Sequence, residues 1–253
     1  MPKFLSKELE RLQTWHGLRP SGRVTHIIGL LIESLGPDVA VGEICVIYGK
    51  SKKAIPCQVV GFKDHKVLLM PFDDVSSIPP GAEVYPTDHP PMIPISDTLR
   101  GRIVDALGRP LDGKGPIFAD KHLPLFSTPP AALSRPPIRQ VLPTGIRCLD
   151  ALCTLGQGQR IGIFSAPGVG KSTLMGILAQ QASSDVNVIA LVGERGREVR
   201  EFIERELGTE GLARSVVVVA TSDQAALLRK AAAHTATAIA EYFRDAGCHV
   251  MLM

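Results

Sequence analysis

The stretch Phe164–Thr173, FSAPGVGKST, constrains this chain more than any other. It closes on Gly170, Lys171 and Ser172, the end of a phosphate-binding loop, with Gly168 two positions earlier. The usual spacing puts glycine at the head of the loop, where this chain has Ser165. The glycines nearest the phosphates, where the backbone must approach most closely, are kept, so the loop is expected to work. It needs a strand leading in and a helix leading out, so that backbone N–H groups converge on phosphate at the positive end of the helix dipole. RIGIFS reads as the entering strand and STLMGILAQ as the leaving helix. Pro167, Gly168, Val169, Gly170, Lys171, Ser172 and Thr173 are therefore the candidate nucleotide contacts. Lys171 would bring a compact positive charge to the β- and γ-phosphates, and Ser172 a hydroxyl oxygen to Mg2+. The ligand this chemistry calls for is a nucleotide with Mg2+.

After Gly156 the chain alternates strand and helix. NVIALVGE reads as a second buried strand and SVVVVATS as a third, and CHVMLM begins a fourth. Between them REVREFIEREL puts Val199, Phe202, Ile203 and Leu207 on one helical face, with Gly208 as a stop and Glu201 and Arg205 paired on the wet side. A long helix from Gln224 carries the stripe Leu227, Leu228, Ala231, Thr235, Ala238, Ile239, Tyr242 and Phe243. Alternation of this kind predicts a parallel sheet covered on both faces. Glu194 then falls at the carboxyl edge of the sheet beside the loop, where open α/β sheets build their ligand sites. It is the candidate water-activating carboxylate, and Arg195 the candidate contact to the γ-phosphate or to a neighbouring carboxylate. Arg197 and Glu198 read as a solvated surface pair, and His234 as a core or subunit-contact histidine.

The first half has a different texture. RVTHIIGLLIES, GEICVIYG, AIPCQVVGF, HKVLLMPF and AEVYP are short apolar runs bounded by Gly, Pro or Asp, which predicts a small barrel or sandwich. Fifteen of the 20 prolines lie between Pro71 and Pro143, so that region reads as an extended connection, because proline lacks a donor and fixes φ. Leu5, Leu9, Leu12 and His16 mark a short amphipathic helix that either packs on the chain or docks a partner. The expected division is 1–20 helix, 21–92 barrel, 93–145 proline-rich linker and 146–253 nucleotide-binding domain. Twenty-eight basic residues against 25 acidic give a net charge of +3, which offers no case for nucleic acid, and the cluster KSKK reads as a solvated turn. Five cysteines without a C-x-x-C pair predict reduced thiols in a soluble, cytosolic protein.

SAPGVGKST, LVGERGREVREFIERELG, SVVVVATSDQ and TATAIAEYFRDAG resemble the ATPases of flagellar and virulence type III export systems, the flagellum-specific member most closely. GRVTHIIGLLIES with VGEICVIY, LRGRIVDALGRPLDGKGP and PTGIRCLDALCTLGQGQRIGIF extend the resemblance upstream to about Gly22. The resemblance implies a small N-terminal β-barrel followed by an α/β P-loop (RecA-like) parallel-sheet domain, here truncated. It implies a homohexamer that hydrolyses ATP in the cytoplasm, peripheral at the inner membrane. Its partners would be the export gate, regulatory proteins of the apparatus and chaperone–substrate complexes. Lys171, Ser172 and Glu194 match the family motif position by position. The family's N-terminal helix engages a negative regulator and membrane lipid, which gives Leu5–His16 a role. In the family the fourth core strand runs into an acidic residue that supports Mg2+. Here the sequence stops at Met253, so a fragment or a truncated gene product is expected, one that binds Mg-ATP weakly and hydrolyses it poorly. Rotary ATP synthase subunits are one alternative, and Glu194 favours a catalytic type. A nucleic-acid translocase would need basic and stacking aromatic residues, and aromatics make up only 5% of the chain. A non-hydrolysing assembly protein is the third alternative.

Overall fold

The structure, a computed structural model, describes residues 21–50, 53–87, 89–166 and 168–253. The amphipathic segment Leu5–His16 and Pro167 lie outside the described residues. The chain divides into two units, 1–90 and 91–253.

The first unit is a closed six-stranded barrel: β1 (Gly22–Ile28), β2 (Leu31–Leu35), β3 (Ile44–Tyr48), β4 (Ala54–Lys63), β5 (Lys66–Pro71) and β6 (Glu83–Pro86). Around the barrel the order is β1-β2-β5-β4-β3-β6, and every pairing is antiparallel. RVTHIIGLLIES is thus two strands rather than one run. Ile28 opposes Leu31 across a two-residue turn that Gly29 opens at φ +61°. Alternate residues point inward, and Val24, Ile32, Ile47, Ile55, Val59, Leu69 and Val84 are buried to 3% exposure or less. All five cysteines are free thiols. Cys45 and Cys57 face each other across β3 and β4 inside this core. Burial pushes the Cys45 thiol up to about 11 and that of Cys57 higher still, so both are inert packing groups.

In the second unit the proline-rich stretch contributes more than a connection. β7 (Met92–Ile95) pairs with β9 (Lys121–Pro124) as a separate two-stranded ribbon, and β8 (Ile103–Asp105) joins the main sheet beside a strand more than 100 residues away. Asp105 turns the chain back by accepting the N–H groups of Leu107 and Arg109, both at 2.8 Å. Arg102 then grips Asp112 with two hydrogen bonds, Nε to Oδ2 at 2.6 Å and Nη2 to Oδ1 at 3.0 Å. That pair is largely buried, at 11% and 3% side-chain exposure.

The hydrogen bonds from Arg102, helped by the N–H groups of Lys114 and Ile103, hold the Asp112 carboxyl at about 2, against the opposing effect of burial. A carboxylate with a depressed folded-state pKa stabilises the fold above its unfolded value of about 3.9, and that contribution disappears as the pH falls toward 2. The loss amounts to roughly 2 kcal/mol. In urea titrations between pH 5 and pH 2.5, wild type is therefore expected to lose about 1.5 kcal/mol more stability than Asp112→Asn, which starts lower, the rest being lost at still lower pH. Parallel pH curves for the two proteins would contradict this.

A two-stranded ribbon of β10 (Val141–Leu142) and β11 (Leu155–Gly156) flanks the short helix Arg147–Leu152. The main sheet is completed by β12 (Val186–Val192), β13 (Ser215–Ala220) and β14 (Val250–Leu252), in the order β14-β12-β13-β8, all parallel. β12 and β13 are almost wholly buried, as continuous apolar runs require. The helix Ala226–Asp245 lies against them through Leu227, Ala231, Thr235, Ala238, Ile239 and Phe243, with Ala232 and Ala236 added to the expected stripe. Leu228 and Tyr242 are only partly buried. His234 meets Phe126 edge-on at 4.6 Å between ring centres, and burial lowers its pKa, with a smaller contribution from Lys230.

Two expectations fail here. RIGIFS forms no strand, and Ile161, Ile163 and Phe164 are 48%, 37% and 97% exposed. Parallel strands are stable when sandwiched, and this run makes no ladder with edge strand β14. REVREFIEREL is not one regular helix either. An α-turn over Gly196–Glu201 widens into a π-turn over Phe202–Leu207, and a further α-segment covers Gly208–Ala213. Gly208, at φ +65°, caps the Phe202–Leu207 piece as expected of it, and the further α-segment starts from there.

Candidate functional site

The loop leads directly into the helix Lys171–Gln181, whose first turn is closed by Leu174 N–H to Gly170 O at 2.9 Å. Gly168 and Gly170 stand at φ +78° and +94°, in the left-handed region that side chains disfavour. A Cβ at either position would meet nothing within 4 Å, so these glycines are needed for backbone conformation and an open approach, not for packing.

β12 and β13 end beside this loop. Gly193 N–H donates to Ala220 O at 2.7 Å, and Ser222 N–H donates to Glu194 O at 3.0 Å. These two bonds hold the carboxyl ends of both strands together and fix the backbone that carries Glu194. The Glu194 Oε1 atom lies 3.8 Å from Lys171 Nζ, both side chains being partly exposed. The loop and the strand ends enclose a cleft of about 870 Å³. Gly168, Gly170, Lys171, Ser172, Thr173, Glu194 and Arg195 all line it.

The sequence-predicted residues are therefore brought together, with qualifications. Val169 is 64% exposed and does not line the cleft. Arg195 pairs with Glu198 at 3.5 Å on the exposed start of the next helix, so its guanidinium is shared with a local carboxylate. Glu198 lines the cleft and belongs to the site region, not only to a surface pair.

Three further residues escaped the sequence reading. Ser222 lines the cleft from the β13 side. Phe202 and Glu206 reach it from the π-turn, and Thr173 Oγ1 donates to Glu206 Oε1 at 3.1 Å. A signal for the last contact was present at Gly176. Glycine inside a helix costs about 1 kcal/mol against alanine and so calls for a packing reason, and a Cβ there would lie 2.6 Å from Glu206 O.

A divalent cation here would be held without a cage of protein side chains. Among the described residues no cluster of three His, Cys, Asp or Glu side chains could cage a metal. Mg2+ needs no such cage, since it keeps several waters and is held by one or two protein oxygens together with the phosphates it accompanies. The Ser172 hydroxyl, at the start of the loop helix, is one oxygen of that kind.

A barrel unit together with a parallel-sheet unit, whose glycine loop, lysine and opposing glutamate share one cleft, defines a phosphate-loop nucleotide-binding protein. The chain belongs to the ATP synthase alpha/beta family. The family's nucleotide-binding domain matches residues 145–253 and its beta-barrel domain residues 24–88. It is 55% identical over 237 residues to a flagellum-specific ATP synthase of Bacillus subtilis (strain 168), covering 92% of this chain and 53% of that one. It is 46% identical over 252 residues to a type 3 secretion system ATPase of Xanthomonas euvesicatoria, covering 99% and 57%. Among solved structures it is similar to the assembled ATPase EscN of the enteropathogenic E. coli type III secretion system. That match has a TM-score of 0.84 and 40% identity, covering 92% of this chain and 56% of EscN. The chain spans about half the length of the curated relatives it matches.

Proposed function

We propose that this chain binds Mg-ATP in the cleft at Gly168–Thr173 and belongs to an ATPase that energises flagellar protein export. The observation that carries the proposal is the Lys171–Glu194 juxtaposition at 3.8 Å, on a chain 55% identical to a flagellum-specific ATP synthase. Lys171 holds the β- and γ-phosphates. The backbone N–H groups of the loop receive the remaining phosphate oxygens. Glu194 orients and deprotonates the attacking water, and Arg195 supplies positive charge to the γ-phosphate once it leaves Glu198. Bound Mg2+, held by Ser172 and the phosphates, would neutralise charge on the β- and γ-oxygens.

The wider role follows the relatives. We read the functional unit as a homohexamer, as supported by likeness to an assembled EscN, and EscN in complex with its central stalk EscO makes a stalk protein a natural further partner. Export-gate and regulatory proteins, chaperone–substrate complexes and a cytoplasmic position peripheral to the inner membrane belong to the same proposal. No helix of the described residues is long and apolar enough to cross a membrane. The working division stays 1–20, 21–92, 93–145 and 146–253, with β8 of the linker serving the nucleotide-binding sheet. A virulence export ATPase is the second reading, supported by the 46% identity to the Xanthomonas type 3 secretion system ATPase. Deleting the gene separates the two: the flagellar reading expects loss of swarming and of filaments, restored by wild type and not by Lys171→Ala. Normal motility in the deletion strain would overturn it.

A further inference from the structure

We infer that Glu206 sets the affinity of the phosphate loop for nucleotide by holding the proton of the Thr173 hydroxyl. The inference rests on the reading of Gly168–Thr173 as a nucleotide site and deepens it. A threonine hydroxyl has one proton to donate, and phosphate oxygens only accept. In this structure that proton points to the Glu206 carboxylate at 3.1 Å. A phosphate arriving at Thr173 therefore meets oxygen lone pairs and, just behind them, a carboxylate that itself lines the cleft. Binding must break the Thr173–Glu206 bond or leave it facing the phosphate, and both lower affinity.

The geometry of Glu206 is built, not incidental. Its backbone lies so close to the loop helix that only glycine fits at position 176. Gln180 Nε2 donates to Glu206 O at 2.7 Å and to Leu207 O at 3.3 Å, satisfying carbonyls that the wide turn frees. Leu207, fully buried, anchors the turn from below. The turn is a π-turn, a form that occurs mostly as single turns inside α-helices and frequently at functional sites. These contacts fix the backbone of Glu206 and so the place from which its side chain reaches Thr173. Glu206 is thus a positioning residue that acts through Thr173, and it keeps the empty and product-bound states exchanging readily.

The test titrates Mg2+ with ADP into the full chain by calorimetry, for wild type, Glu206→Gln, Glu206→Asp, Thr173→Val, the Glu206→Gln/Thr173→Val double variant and Lys171→Ala. Glu206→Gln keeps the shape, removes the charge and weakens the grip on the hydroxyl, so binding is expected to tighten by about five-fold. Glu206→Asp keeps the charge but withdraws the acceptor, and a smaller tightening is expected. On the Thr173→Val background the Glu206→Gln effect should shrink below about two-fold, because the partner hydroxyl is gone. Unchanged or weaker binding by both Glu206 variants, with melting temperatures near wild type, would overturn the inference. So would a full-sized gain on the Thr173→Val background. If Lys171→Ala binds ADP as wild type does, it is the phosphate-loop reading itself that fails.

Discussion

Replacing Lys171 with alanine is expected to weaken Mg-ATP binding by about 30- to 150-fold, the loss of one charge-assisted contact of roughly 2–3 kcal/mol. Two effects combine. The ammonium that would face the β- and γ-phosphates disappears, and Glu194, 3.8 Å away, loses its cation and faces the incoming phosphates unopposed. The helix itself should survive, because Lys171 is exposed at the helix start and alanine is the strongest helix former. Calorimetry with Mg-ATP, checked against an unchanged circular dichroism melt, measures the effect. Affinity within about three-fold of wild type would mean that the loop grips something other than nucleotide phosphate.

Glu194→Gln has the larger consequence for turnover. The amide keeps the volume and the hydrogen-bonding reach of the carboxylate but cannot take a proton from water. The chemical step should fall by about 10²- to 10⁴-fold, the usual scale of a lost general base. Binding should hold or improve, since a negative charge leaves the cleft while Lys171 stays. This opposition of effects separates the base from a plain surface ion pair. A half-exposed pair contributes about 0–1 kcal/mol to stability and nothing to chemistry. Single-turnover phosphate release by the assembled full-length protein is the measurement, with nucleotide affinity taken in parallel. A variant that turns over like wild type removes Glu194 from the mechanism and moves attention to Glu198 and Glu201, carboxylates of the helix Gly196–Glu201 that also line the cleft.

Much of this was legible in the residues. Gly168 and Gly170 announced the loop because few residues other than glycine accept φ near +80° to +90° with an open face. Runs such as NVIALVGE and SVVVVATS announced buried parallel strands, and their carboxyl ends located Glu194 beside the loop. The barrel strands were visible as short alternating runs, although the Gly29 turn divided one run into two.

What escaped depends on distance in sequence. β8 looked like part of a proline-rich connection until Ile103–Asp105 was seen paired with Val217–Val219. Nothing local to three residues among turns declares a partner 114 positions away. Barrel closure has the same character: β2 lies beside β5 because alternate residues must share one interior. RIGIFS reads as a strand by composition, yet composition does not supply a neighbouring strand, and the run lies exposed.

By itself the sequence determined the buried strands β12 and β13, the long helix Ala226–Asp245 and the chemistry of the loop, since glycine, lysine and hydroxyl positions act through backbone preferences and spacing within a few residues. Only the tertiary structure decided the pairing of Thr173 with Glu206, the widening of Phe202–Leu207 into a π-turn, and the placing of Ser222 against Glu194. Each of those comes from packing one element against another. There the free energy of burying Leu207 and of satisfying displaced carbonyls through Gln180 outweighs the small local preference for a regular helix.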